Sequence, residues 1–271
     1  MIGITRRDLQ LLVLNCPPNP APVIDANLGT TLDVFHVEEG ETLCFTYGYN
    51  DPNGDSVTIT SSGAIFDASL INPPATITSP ATGLDVASAD FCWTTACGQA
   101  RTAPYQFQIS ARDNGCPPSS ANNVYEVFVD PVPPPVSITG ADVICQFGIE
   151  TYTTPIVTNQ TYNWTVTGGN ITADNGNSID VEWTSIGSAS ISVSATNQFG
   201  CLSESIAYQT TITPAPIVEA GATIDLCAGD TIALNGSTTA GPGFTARWSP
   251  VRDIINRTRL EPPVQPHDPT R

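Results

Sequence analysis

No lysine occurs in the 271 residues; the positive charge rests on nine arginines against 26 acids, a net charge of -17. Such a chain repels phosphate backbones and anionic membrane surfaces, which argues against nucleic-acid binding. Charged residues of both signs make up only 13%, about half the usual share, while 21 glycines and 24 prolines break the chain up. Long amphipathic helices, and with them helical bundles, are therefore excluded. No stretch approaches the 18 or more consecutive apolar residues of a membrane span. His36 and His267 are the only histidines, and neither stands beside a nucleophile motif. GxSxG, HExxH, the phosphate loop and the dinucleotide fingerprint are all missing, so the reading is non-enzymatic and requires no cofactor. With 26 carboxylates, an acid pair of the glycosidase type stays open on sequence alone.

The eight cysteines stand at 16, 44, 92, 97, 116, 145, 201 and 227, and none forms a CxxC pair. That spacing counts against zinc ribbons and thioredoxin-like redox sites. Dispersed cysteines in a chain rich in Thr, Ser and Val read instead as disulfides made outside the cytoplasm, placing the protein in the extracellular space or at the cell surface.

The positive pattern is alternation at period two. Tyr105, Phe107, Ile109 and Ala111 fall on one face of a half-buried strand, and the same rule selects Tyr162, Trp164 and Val166; Ile179, Val181 and Trp183; Ile191, Val193 and Ala195; and Ile206, Tyr208 and Thr210. Turn signals at Pro52-Asn53-Gly54-Asp55, Gly168-Gly169 and Asp174-Asn175-Gly176 separate such runs at the spacing of β-sandwiches. Trp93 and Trp183 lie on the apolar phase and are expected in the core rather than on a sugar platform.

Two internal echoes point to tandem domains. Ile109 to Cys116 (ISARDNGC) parallels Val193 to Cys201 (VSATNQFGC), and Gly140 to Cys145 (GADVIC) parallels Gly221 to Cys227 (GATIDLC). Proline clusters at 17–22, 131–135 and 214–216 mark the linkers. The expected organisation is all-β: a sandwich over 17–133, a second over 134–216, and the opening of an incomplete third over 217–250. Residues 1–16, with Arg6-Arg7 before a short apolar stretch and Cys16, read as a terminal strand of an upstream domain in preference to an export signal. The tail 251–271 holds four arginines and four prolines with no strand pattern, and no fold is assigned to it.

Tyr162-Asn-Trp-Thr-Val-Thr-Gly-Gly169, Ile179-Asp-Val-Glu-Trp183, the strand end from Ala195 to Cys201, Cys227 to Leu234 and Arg247-Trp-Ser-Pro250 carry a resemblance. The chain resembles the PKD-like and cadherin-like (Ig-like) domains strung along secreted surface proteins of gliding Bacteroidetes, proteins that often end in a gliding-motility-associated C-terminal domain. Ala111-Arg-Asp-Asn-Gly-Cys-Pro117 looks like the A-x-D-x-G-x-P strand end of cadherin repeats. The resemblance implies a spacer, stalk or adhesion module whose partners are neighbouring sandwich domains of a longer parent and, in the adhesive case, a surface polysaccharide or protein; the second reading is a Ca²⁺-dependent carbohydrate- or protein-binding module, and the third an accessory domain of a secreted enzyme.

Asp51-Pro-Asn53-Gly-Asp55 spaces three oxygen-bearing side chains two apart around a tight turn, which suits a hard cation such as Ca²⁺. The EF-hand match ends there, because Ser62 stands where its bidentate Glu would fall. The resemblance to the cadherin loop implies ligands borrowed from elsewhere, with Glu38, Glu39, Glu41 and Asp113 as candidates; Asn15 and Asn19 are what the preceding linker offers. The competing reading is an Asx-Gly turn that needs no metal. For the cysteines, Cys44 and Cys92 are both flanked by core-type residues and are expected to form a cross-strand bridge on the opposite face. Cys97 is then expected with Cys116 and Cys145 with Cys201, leaving Cys16 and Cys227 without partners in this chain.

Overall fold

Each run that alternates at period two forms a strand. In the computed structural model, which describes residues 15–77, 82–227, 229–249 and 253–265, nearly all regular structure is β and the only helical piece among these residues is a single 3-10 turn, Ala64–Phe66. The strand expected before Cys16 falls on residues outside those described.

The chain divides into two units. The first takes in the described residues up to Val136 together with Ile156–Asn163 and Ser194–Ile206; the second takes in Ser137–Pro155, Trp164–Val193 and the described residues from Ala207 onward. The first unit holds β1 (Val23–Ile24), β2 (Val34–Glu38), β3 (Thr42–Asn50), β4 (Ser56–Ser62), β5 (Thr76–Ile77), β6 (Thr82–Leu84), β7 (Val86–Thr94), β8 (Tyr105–Asp113) and β9 (Ser120–Asp130). They form two sheets, in the orders β1-β3-β7-β5 and β2-β9-β8-β4-β6. All pairings are antiparallel except β2 with β9, where Val34 to Glu38 run parallel beside Glu126 to Asp130.

The apolar phases of the two sheets meet in one core. Phe91 of β7 stacks on Phe107 of β8 at 4.8 Å, and Phe107 stacks in turn on Tyr125 of β9 at 5.3 Å. Trp93, Tyr47, Tyr49 and Ile109 are fully buried beside them, each contributing about 1.5–3 kcal/mol by leaving water. Trp93 keeps its one polar atom satisfied by donating Nε1–H to the carbonyl of Pro73 at 3.0 Å.

The strands that follow are β10 (Val143–Cys145), β11 (Ile149–Thr153), β12 (Gln160–Thr167), β13 (Gly169–Asp174), β14 (Ser178–Trp183), β15 (Gly187–Asn197) and β16 (Ile206–Thr213). They build sheets of order β10-β16-β15-β12 and β11-β14-β13. The second unit buries Tyr152, Trp164, Ile179, Val181, Trp183, Ile191 and Val193, which are the residues that the alternation places inward, Tyr152 apart. The residues of β12 and β15 that belong to the first unit are their ends, 160–163 and 194–197.

Beyond 216, β17 (Val218–Glu219) pairs with β19 (Ser237–Thr238), and β18 (Ile232–Ala233) pairs with β20 (Pro263–Val264). The unpatterned tail therefore supplies a strand, where none was expected. Leu234 N donates to Pro262 O at 3.0 Å, and Trp248 is held through its Nε1–H to Arg259 O at 3.0 Å. A two-residue strand fixed by main-chain bonds has too few positions to show a period, which is why alternation gives no sign of it.

Candidate metal centre

Three strand ends and one lead-in segment meet at one edge of the first unit. Asp51 follows β3, Ser56 opens β4, Asp113 closes β8, and residues 15–22 run in ahead of β1. Register brings the two turns side by side, because Val57 of β4 lies opposite Asp113 of β8.

The Asp51 turn is ordered by its own first carboxylate. Oδ1 accepts the main-chain N–H groups of Asn53 at 3.1 Å and Asp55 at 3.0 Å, an Asx turn whose tight corner puts Gly54 at φ 84°. Asn53 Nδ2 donates to Asp55 Oδ2 at 2.6 Å. Asp85, a residue the sequence pattern does not single out, braces the same loop, accepting Asp51 N–H at 2.7 Å and donating its own N–H to Asp55 O at 3.2 Å.

Asp113 orders the neighbouring turn in the same way. Its Oδ1 accepts the N–H groups of Gly115 at 3.0 Å and Ser119 at 2.9 Å, and the Nδ2 of Asn19 at 2.8 Å. Burial pushes this carboxyl up, but the Ser119 N–H, the Asn19 amide, the Gly115 N–H and the Arg112 charge together outweigh it and hold the group below the ordinary carboxylate range. Asn19 also donates to Pro117 O at 2.8 Å, and a methyl group at Gly115 would collide with the Asn19 amide and the Asp55 carboxylate, so the three groups are packed together. Ser56 N–H donating to Asn114 Oδ1 at 2.8 Å closes the seam between the turns.

Each of these groups keeps one oxygen unused. Asp51 and Asp113 are only 4% and 3% exposed, yet Oδ2 of each has no hydrogen-bond partner, nor does the buried Oδ1 of Asn19. Burying an ionised carboxylate oxygen without a partner is costly, and such atoms call for an explanation. Among the described residues no three His, Cys, Asp or Glu side chains stand close enough to hold a metal by themselves.

Glu39 does not belong here. It lies before β3 and Asp51 lies after it, so the nine residues of β3, about 30 Å of strand, separate them. The Glu39 carboxylate is engaged where it stands, with Oε1 accepting Gly98 N–H at 2.8 Å and Ala100 N–H at 2.9 Å. Glu38 and Glu41 share that end, where Glu41 Oε2 accepts Glu38 N–H at 3.0 Å.

The disulfides frame both ends. Cys44 and Cys92 face each other in register across β3 and β7, their Cα atoms 4.2 Å apart, and are joined. The other expected pairings are replaced: Cys16 bonds Cys116, and Cys97 bonds Cys201. Cys116 lies on the turn that Asn19 clasps, which brings Cys16 to it, and Cys201 belongs to the first unit, where Cys97 is available. Cys145 is left free and exposed on β10 opposite Thr213, and Cys227 is free and exposed as well. His36 sits on the open face of β2, its Nδ1 3.0 Å from Asp130 Oδ2 and its ring stacked on Phe128.

Residues 131–210 match the family described as the PKD-like domain. No curated protein matches the chain by sequence. Solved structures similar to it include titin domains Z1Z2 in complex with telethonin (13% identity, 73% of this chain and 100% of that one, TM-score 0.34). The sialic acid binding region of a Streptococcus sanguinis SK1 adhesin (10%, 73% and 79%, TM-score 0.32) and the D00-D0 domain of intimin (13%, 69% and 99%, TM-score 0.31) are others.

Proposed function

We propose that this chain is a non-enzymatic, extracellular spacer or adhesion segment whose first unit is stiffened by a bound Ca²⁺ ion. The observation that carries this reading is the trio of buried, unpartnered oxygens, Asp51 Oδ2, Asp113 Oδ2 and Asn19 Oδ1, on two turns and a lead-in segment already sewn together. Oxygen ligands of this type suit a hard cation; two carboxylates and an amide would be completed by main-chain carbonyls and water. Three disulfides support an oxidising compartment, hence secretion or display. The PKD-like stretch at 131–210 supports the structural role, and a longer surface protein of the gliding Bacteroidetes type is the parent that the sequence resemblance implies.

Thermal unfolding of the oxidised chain in millimolar CaCl₂ and again in EDTA tests the reading, since a ligand of the folded state alone raises its apparent stability. A rise of several degrees that Asp51→Ala and Asp113→Ala each abolish is expected. Identical melting in both buffers would leave a disulfide-stapled spacer with Asx turns at 51–55 and 113–117.

A further inference from the structure

The lead-in segment is held in an unusual way. Residues 17–22 read Pro-Pro-Asn-Pro-Ala-Pro, so four of six positions have no main-chain N–H to offer a neighbour. Among the described residues, main-chain pairing begins at β1, where Val23 lies opposite Asn50 and Ile24 opposite Tyr49. Upstream of that point, the described anchors on the Asp113 turn are side-chain ones: the Cys16–Cys116 bond and the two hydrogen bonds of the Asn19 amide to Asp113 and Pro117. Two hydrogen bonds at a partly exposed edge return less, net, than the ordering of several residues costs, so the amide alone would not keep this segment in place.

We propose that the Cys16–Cys116 disulfide is the latch that holds Asn19 in the cation site, so that the oxidation state of this pair sets the affinity of the site. The proposal rests on the calcium reading given above. Asn19 follows Cys16 by three residues, two of them prolines whose fixed φ leaves little slack, so closing the bond delivers the Asn19 carboxamide to Asp113. Nδ2 donates to the carboxylate and Oδ1 is left buried without a partner, as a third oxygen for the ion. Opening the latch takes an external dithiol, which delivers two electrons and two protons to the S–S bond, leaves as its own cyclic disulfide and frees two cysteine thiols. By linkage, the bound ion in turn disfavours reduction of this pair.

Calorimetric titration of the full oxidised chain with CaCl₂ tests this, set beside Cys16→Ser/Cys116→Ser, Asn19→Ala, and the combination of all three substitutions. The expected result is a Kd raised at least about tenfold in the cysteine variant, raised similarly by Asn19→Ala, and not raised further in the combination, the signature of two changes acting through one contact. Equal affinity in the wild type and the cysteine variant overturns the latch, as does full additivity. Absence of binding by the wild type overturns the calcium reading itself and the latch with it. Should the cysteine variant fail to fold, Pro17→Gly/Pro18→Gly keeps the disulfide but slackens its hold on Asn19; an unchanged Kd there is equally fatal to the proposal.

Discussion

Two strand ends in the first unit carry the same device with opposite chemistry. At the end of β8, Asp113 Oδ1 accepts Gly115 and Ser119 N–H; at the end of β15, Asn197 Oδ1 accepts Phe199 N–H at 3.1 Å and Cys201 N–H at 2.9 Å. Each turn then ends in a cysteine bonded about a hundred residues away, Cys116 to Cys16 and Cys201 to Cys97. The second heteroatom separates them. Asn197 Nδ2 donates to Glu39 O at 2.9 Å, so the amide nitrogen has a partner, while Asp113 Oδ2 is buried without one. One atom, amide nitrogen or carboxylate oxygen, divides a clasp whose second heteroatom is partnered from one whose second heteroatom is buried without a partner.

The greatest loss is expected at the clasp. Cys97→Ser/Cys201→Ser is expected to cost about 2–5 kcal/mol in denaturant unfolding, since the bond closes a long loop, and to leave calcium affinity where it was. Next in size, Asp113→Ala strips an acceptor from two main-chain N–H groups and the Asn19 amide; about 2–4 kcal/mol of stability should be lost in EDTA, with no recovery in calcium. Exchanging the chemistry at the clasp by Asn197→Asp sets a carboxylate against the Glu39 carbonyl, and about 1–3 kcal/mol is the expected loss. A calcium-dependent gain in that variant would erase the distinction between the two turns, because it would show that any carboxylate at such a turn recruits the ion. The smallest change is Asp113→Asn, which keeps the Oδ1 acceptor and should cost about 1 kcal/mol or less in EDTA while abolishing the calcium-induced rise in Tm.

Much of this architecture is legible in the sequence because burial on a strand imposes period two. Phe107, Ile109, Trp183 and Val193 announce their faces, and the echo between 109–116 and 193–201 is enough to mark two equivalent strand ends. Cys44 and Cys92 are legible for the same reason, each flanked by residues that face the core. Pairings made across turns are not: Cys16 with Cys116 and Cys97 with Cys201 depend on which loops meet in space, and spacing along the chain carries no trace of that. Glu39 shows the same limit from the acidic side, since its type is visible while its place at the far end of β3 from Asp51 is not. Asn19 is visible in the sequence as one of the two amides that the linker offers, while its contact with Asp113 is not.

The two long disulfides overlap in sequence, with Cys97 lying before Cys116, and this has a mechanical consequence. Pulled from its ends, a chain lengthens by its shortest covalent path, and from Cys16 to Cys201 that path crosses one bridge, runs back along the 20 residues from Cys116 to Cys97, and crosses the other. The intervening 184 residues, which would otherwise pay out about 650 Å of contour, can release only about 65 Å. Under tension this segment behaves as a tether of nearly fixed length, transmitting load through sulfur even when its sheets have come apart.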